Sequence, residues 1–266
     1  VIKDLFLRTY QAAEADALAE KLNPTPGSHR KTWVILVWTA VALTLISYAG
    51  NTENFAKFLG QCGLTGLQRQ FTEWSIYHEA AQLHQLVWWA LVSITHYMLI
   101  PMLLIRFVLR EPLGDYGLRL NGAFQGWPLY VVMLAVMFPL VANFSGTAAF
   151  QQKYPFYQPN PGEPLWPRFW IWELFYFGQF VALEFFFRGF MTLGLRPRFG
   201  FYSVLVMMVP YCMIHFRKPM PETFGAILAG IVLGTLSMKS RSVWLGVLIH
   251  YSVAITMDLF ALWRRA

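Results

Sequence analysis

The sequence predicts an all-α integral membrane protein, a polytopic transmembrane bundle of about seven helices, and three observations carry that prediction. Charged residues make up 13% of the 266 and hydrophobic ones 56%, with a mean hydropathy of +0.43, about half the charge of a soluble globule. Aromatic residues reach 17%, which suits helix packing in lipid and the interfacial aromatic belts. Apolar runs near the ~20 residues that cross a bilayer recur at about 32–49, 86–108, 127–149, 169–190, 199–216, 222–238 and 242–262, the fifth and sixth being short. Such a composition excludes disorder, and two cysteines, Cys62 and Cys212, exclude a disulfide scaffold. The net charge of +7 raises the question of nucleic acid, but the basic residues punctuate apolar runs instead of clustering. The expected partner is the lipid bilayer, with no nucleic acid.

Taken in order, residues 1–31 read as an N-terminal interfacial segment. Ile2, Leu5, Phe6, Ala13, Ala17, Leu18 and Leu22 share roughly one helical face, and Asn23 to Gly27 break the helix before the first span. No apolar core follows an early basic patch, so this is not a secretory signal. The chain opens on Val1, so sequence is expected to precede it or to have been removed. Residues 32–167 hold the first three spans and their external loops. Between spans one and two, Leu67, Phe71, Trp74 and His78 repeat at helical spacing, which predicts a surface-lying helix. The Pro-rich stretch from Tyr154 to Pro167 predicts a rigid outer loop. Residues 168–266 form a core with the remaining four spans, where Gly225, Gly230 and Gly234 read as close helix packing.

Counting Lys and Arg by loop places 13 on the side of the N-terminus and 8 on the other. The positive-inside bias therefore predicts a cytoplasmic N-terminus and an external C-terminus, and the expected location is a bacterial inner (cytoplasmic) membrane.

Function must come from ionisable groups within the apolar runs, because charge in hydrocarbon is costly and faces an interior. The candidates are Glu173, Glu184, Arg188, His96, His215, His250 and Asp258. Glu184 and Arg188 stand at i and i+4, so they pair along one face. Glu173 precedes Glu184 by eleven residues, which returns to within about 20° of that face. His96 reads as a packing or interfacial histidine, and a thiol role for Cys212 has no paired base to support it. A carboxylate on one helix and imidazoles on two others admit two chemistries. Either Glu184 activates water while His215 and His250 hold an oxyanion, or the three ligate a divalent metal such as zinc.

Leu183-Glu184-Phe185-Phe186-Phe187-Arg188-Gly189-Phe190 resembles the first motif of the CPBP intramembrane proteases (CAAX prenyl endopeptidases and bacteriocin-processing enzymes, the ABI family), which reads Glu-Glu-x-x-x-Arg. Tyr211 to His215 is similar to the second motif, Phe-x-x-x-His, and His250 falls where the third, His-x-x-x-Asn, begins. The resemblance covers residues 168–262. It implies a CPBP-like core hydrolysing a peptide bond of a peptide or membrane protein, with Glu184, Arg188, His215 and His250 as its site. Two positions depart from the pattern: Leu183 stands at the first Glu and Ala254 at the Asn. Glu184 itself, Glu222 or Asp258 are the acids available to compensate, with Glu184 the first choice. The alternative is a catalytically inactive relative, an accessory or assembly subunit of a membrane complex.

Overall fold

The computed structural model describes residues 2–120, 122–124, 126–160, 162–216 and 218–265. Arg217, counted above with the outer basic residues, and the side chain of Ile2 lie outside the described residues. All regular structure among the described residues is helical: α1 (Ile2–Leu22), α2 (Ser28–Ala49), α3 (Thr52–Gln61), α4 (Thr65–Thr72), α5 (Ala81–Leu109), α6 (Trp127–Phe144) and α7 (Ala148–Lys153). There follow α8 (Arg168–Glu184, continuing through Phe185–Leu193 and Gly194–Phe199), α9 (Tyr202–Met213), α10 (Met220–Ser240) and α11 (Trp244–Arg265).

Five of these helices, α2, α5, α6, α10 and α11, are long and apolar enough to cross a membrane. The fourth and fifth runs differ. In α8 a regular helix of 17 residues widens into i→i+5 turns at Phe185 before resuming at Gly194, and such widening inside helices is frequent at functional sites. Helix α9 has only 12 residues and packs tightly on α10, where Gly230 lies against Met208 and Gly234 against Met207 and Val204.

Contacts between helix ends sort into two sets. One joins Lys31 to Glu111, Asp16 to Arg196 and Arg241, and Ser242 to the Arg119 carbonyl. The other joins Glu79 to Arg168, Arg265 to Gln151 and the Tyr154 carbonyl, and Lys218 to Glu222. Helices α5, α6, α8, α10 and α11 each run from one set to the other.

Helix α1 forms as expected and turns most of the predicted face inward, with Ala13 buried and Leu5, Phe6 and Ala17 half-buried. Thr9 and Ala13 are buried against α8, whereas Leu18 and Leu22 are exposed. Polar contacts decide the orientation: Glu14 accepts from the Phe201 backbone N–H at 3.0 Å and Asp16 pairs with Arg196 at 2.8 Å. The surface helix expected around Phe71 is α4, where Phe71 packs on Phe55 and Trp88. Helix α3 has no counterpart in the sequence reading; its signal is the Asn51 cap, whose side chain accepts from Asn54 N–H.

The outer loop after α7 is organised by its own side chains. Tyr157 donates to Glu163 at 2.6 Å, Asn160 N–H donates to the other carboxylate oxygen at 3.0 Å, and Arg168 lies 3.6 Å away. The Tyr157 hydrogen bond, with that of Asn160, holds the Glu163 carboxyl below its usual range, while burial and then Glu163 push the Tyr157 phenol up to about 12. A carboxyl lowered by folding stabilises above its unfolded value, about 4.3, and that contribution is lost as pH falls through the folded one. Amide protection of residues 157–163 should therefore decline in acid in the natural chain and show no such acid step in Glu163→Gln. Identical hydrogen-exchange profiles for the two would contradict this account.

Candidate active site

The site is assembled where α8 widens. Glu184 ends the regular part of α8 and Arg188 lies one turn on, both 0% exposed. Their side chains meet with Arg188 Nη1 3.3 Å from Glu184 Oε1, the i,i+4 pair read from the sequence. The same Oε1 accepts from His250 Nδ1 at 2.9 Å. Nδ1–H thus donates to the carboxylate and Nε2 carries the lone pair. Nε2 faces the hydroxyl of Tyr211 at 3.5 Å. The His250 side chain is 18% exposed, so the imidazole is the accessible group in an otherwise sealed arrangement.

Tyr211 is the residue that the sequence reading missed. Its ring lies under the Arg188 guanidinium at 4.1 Å, its hydroxyl faces His250, and its carbonyl accepts from His215 Nδ1 at 2.8 Å. The signal was present in the Tyr211 to His215 spacing and in Tyr standing where the second motif has Phe. His215, 7% exposed, is anchored further by its own carbonyl, which accepts from Thr223 Oγ1 at 2.8 Å. The two histidines therefore flank Tyr211, with Tyr211–His215 ring centroids 4.9 Å apart and Tyr211–His250 6.2 Å.

A three-ligand metal arrangement of Glu184, His215 and His250 does not fit this geometry. Tyr211 stands between the two imidazoles, and among the described residues no three His, Cys, Asp or Glu side chains are placed to hold one ion.

The other candidates lie apart from Glu184. Glu222 accepts from Lys218 at 2.6 Å and from the Tyr154 hydroxyl at 2.9 Å, so it serves the outer end of α10. Glu173 and Asp258 sit together farther along α8 and α11. His96 Nδ1 bonds the Val92 carbonyl at 2.8 Å and its ring stacks on Trp38, the packing role expected. Leu183 and Ala254 are buried in apolar clusters, Ala254 among Trp172, Tyr176 and Phe180.

Two glycines make the close approaches possible. A Cβ on Gly189 would collide with the Tyr116 carbonyl of the neighbouring loop. A Cβ on Gly246 would lie 2.5 Å from Glu184 Oε2, so bare backbone one turn before His250 is what lets the carboxylate reach the imidazole. Gly246→Ala should displace Glu184 and destabilise the chain by about 1–3 kcal/mol, the usual cost of overpacking. Chemical unfolding of the purified protein measures it, and an unchanged midpoint would refute the contact.

Residues 164–256 match the family model described as Type II CAAX prenyl endopeptidase Rce1-like. No curated protein and no solved structure matches the chain. The matched segment contains Glu184, Arg188, Tyr211, His215 and His250, and it identifies residues 164–256 as an Rce1-like type II CAAX prenyl endopeptidase domain of the CPBP family.

Proposed function

We propose that the chain is an endopeptidase hydrolysing a peptide bond in or beside the membrane, with His250 as the general base. The observation that carries this reading is the 2.9 Å contact of Glu184 Oε1 with His250 Nδ1, which leaves Nε2 basic on the one partly exposed side chain of the site. A carboxylate bonded to Nδ1–H fixes the tautomer and stabilises the imidazolium that forms, as in other carboxylate–histidine pairs. Arg188 holds the carboxylate and Glu184 orients the imidazole. His250 Nε2 takes a proton from water as the oxygen attacks the carbonyl carbon, then returns it to the leaving amine. The Tyr211 hydroxyl, 3.5 Å from Nε2, is the donor that this reading assigns to the developing oxyanion, and His215 positions Tyr211 through its carbonyl. Glu184 is thus an orienting group in this reading, and the base is the histidine it holds.

In the same reading residues 168–266 are the working core, residues 32–167 close around it, and the N-terminus lies on the cytoplasmic side of a bacterial inner membrane. The substrate class follows from the family, and the probe is a prenylated CAAX peptide incubated with the purified chain in lipid nanodiscs. Cleavage by the natural chain, lost in His250→Ala and retained in His96→Ala, supports the assignment.

One observation favours a second reading, an accessory subunit without catalysis: Glu184, Arg188 and Tyr211 are sealed from solvent, and apolar Leu183 and Ala254 occupy two motif positions. Cleavage absent from the natural chain but present in a folded Leu183→Glu variant decides for it.

A further inference from the structure

A second polar cluster lies eleven residues, or ~16 Å along the helix axis, from Glu184. Glu173, 2% exposed, and Asp258, 0% exposed, bring their carboxyl groups within hydrogen-bonding reach of each other across the α8–α11 seam. Glu173 Oε2 accepts from the Tyr251 hydroxyl at 3.1 Å. The Asp258 oxygens face the Phe156 backbone N–H of the outer loop at 3.3 and 3.4 Å. Glu173 Oε1 is fully buried with no donor among the described residues, and the buried Trp172 indole N–H points toward Asp258 without completing a hydrogen bond.

Ionised carboxylates only accept hydrogen bonds, and two in contact away from water repel strongly. A proton between them removes both difficulties, because one carboxyl becomes a donor to the other and Oε1 gains the partner it lacks. We propose that Glu173 and Asp258 bind one proton between them, forming an acid–carboxylate latch that fastens the outer loop to α11 through Phe156.

The groups facing this pair are consistent with a single retained proton. Tyr176 and Trp172 approach from α8 and Tyr251 from α11, while Tyr154 and Phe156 approach from the loop. From α5, Trp89 stacks on Phe156 and packs on Trp172. Lys153 and Lys218 lie over the Phe156 ring at 5.1 and 5.9 Å, and Lys218 is held by Glu222 at the start of α10. Loss of the proton leaves two like charges in contact beneath the loop and opens the seam.

The test is infrared spectroscopy of the full chain in nanodiscs at neutral pH, reading the carbonyl stretch of a protonated carboxylic acid. The natural chain is expected to show the band and to lose it in alkali, with hydrogen-exchange protection of the Phe156 amide lost over the same range. Glu173→Gln and Asp258→Asn, which keep the shape of the acid, are each expected to abolish the band, and Glu222→Gln to leave it. Absence of the band from the natural chain overturns the proposal, as does a band that survives both amide substitutions. A natural chain without the band whose melting temperature rises with added calcium or magnesium would mark a cation site instead. None of these outcomes depends on peptidase activity.

Discussion

Glu184→Gln is expected to lower cleavage of a prenylated CAAX peptide by at least ~100-fold while the chain stays folded. The amide keeps the volume and still offers an oxygen to His250 Nδ1–H and Arg188, so the packing survives. What disappears is the negative charge that stabilises the imidazolium as His250 takes a proton, and loss of that charge in comparable pairs costs up to ~10⁴-fold. His250→Ala is expected to lose as much, by removing the base itself. The two differ in rescue: added imidazole should restore part of the rate in His250→Ala, where a ring-sized space opens, and none in Glu184→Gln, where the base is present but wrongly poised. Rescue of neither, with residual activity tracking the residue at 184 alone, would return the role of base to Glu184. Full activity in Glu184→Gln would remove the pair from the mechanism.

Arg188→Met is expected to show the largest loss of stability, about 3–5 kcal/mol, because it leaves the buried Glu184 carboxylate without its cation. Met matches much of the arginine stem, so the effect reports charge more than volume. The guanidinium is itself poorly satisfied: it touches one carboxylate oxygen at 3.3 Å and the Tyr211 ring at 4.1 Å, and its three nitrogens have no hydrogen bond of good geometry among the described residues. A buried pair of this kind adds little net stability, yet breaking it from one side is costly. The double variant Arg188→Met with Glu184→Gln should therefore recover most of the loss. Unfolding midpoints of the four members of the cycle measure the coupling. Additive effects, or an Arg188→Met variant within 1 kcal/mol of the natural chain, would show that the two groups do not depend on each other.

The membrane class, the order of the apolar runs, the surface helix around Phe71 and the Glu184–Arg188 pair were legible without coordinates. Each is encoded locally, in hydropathy over ~20 residues or in the i,i+4 geometry of one helix. The motif order also pointed to the three elements that carry the candidate site, α8, the end of α9 and α11.

What the tertiary structure alone decided is how those elements face one another. Eleven-residue spacing put Glu173 and Glu184 on one face of α8, but the rotation of α11 sends His250 to one and Tyr251 with Asp258 to the other. Glu222 was free by sequence to enter the site, and a lysine four residues before it, with a loop tyrosine, holds it outside. Helix α1 displayed an apolar face, and with Asp16 paired to Arg196 and Arg241 the Leu18 and Leu22 of that face stay outside. Tyr211 read as a stand-in for phenylalanine until three neighbours converged on it. Partners of this kind are fixed by helix rotation and by which side chains find a counter-charge in low dielectric, and neither quantity is written in the period of a single segment.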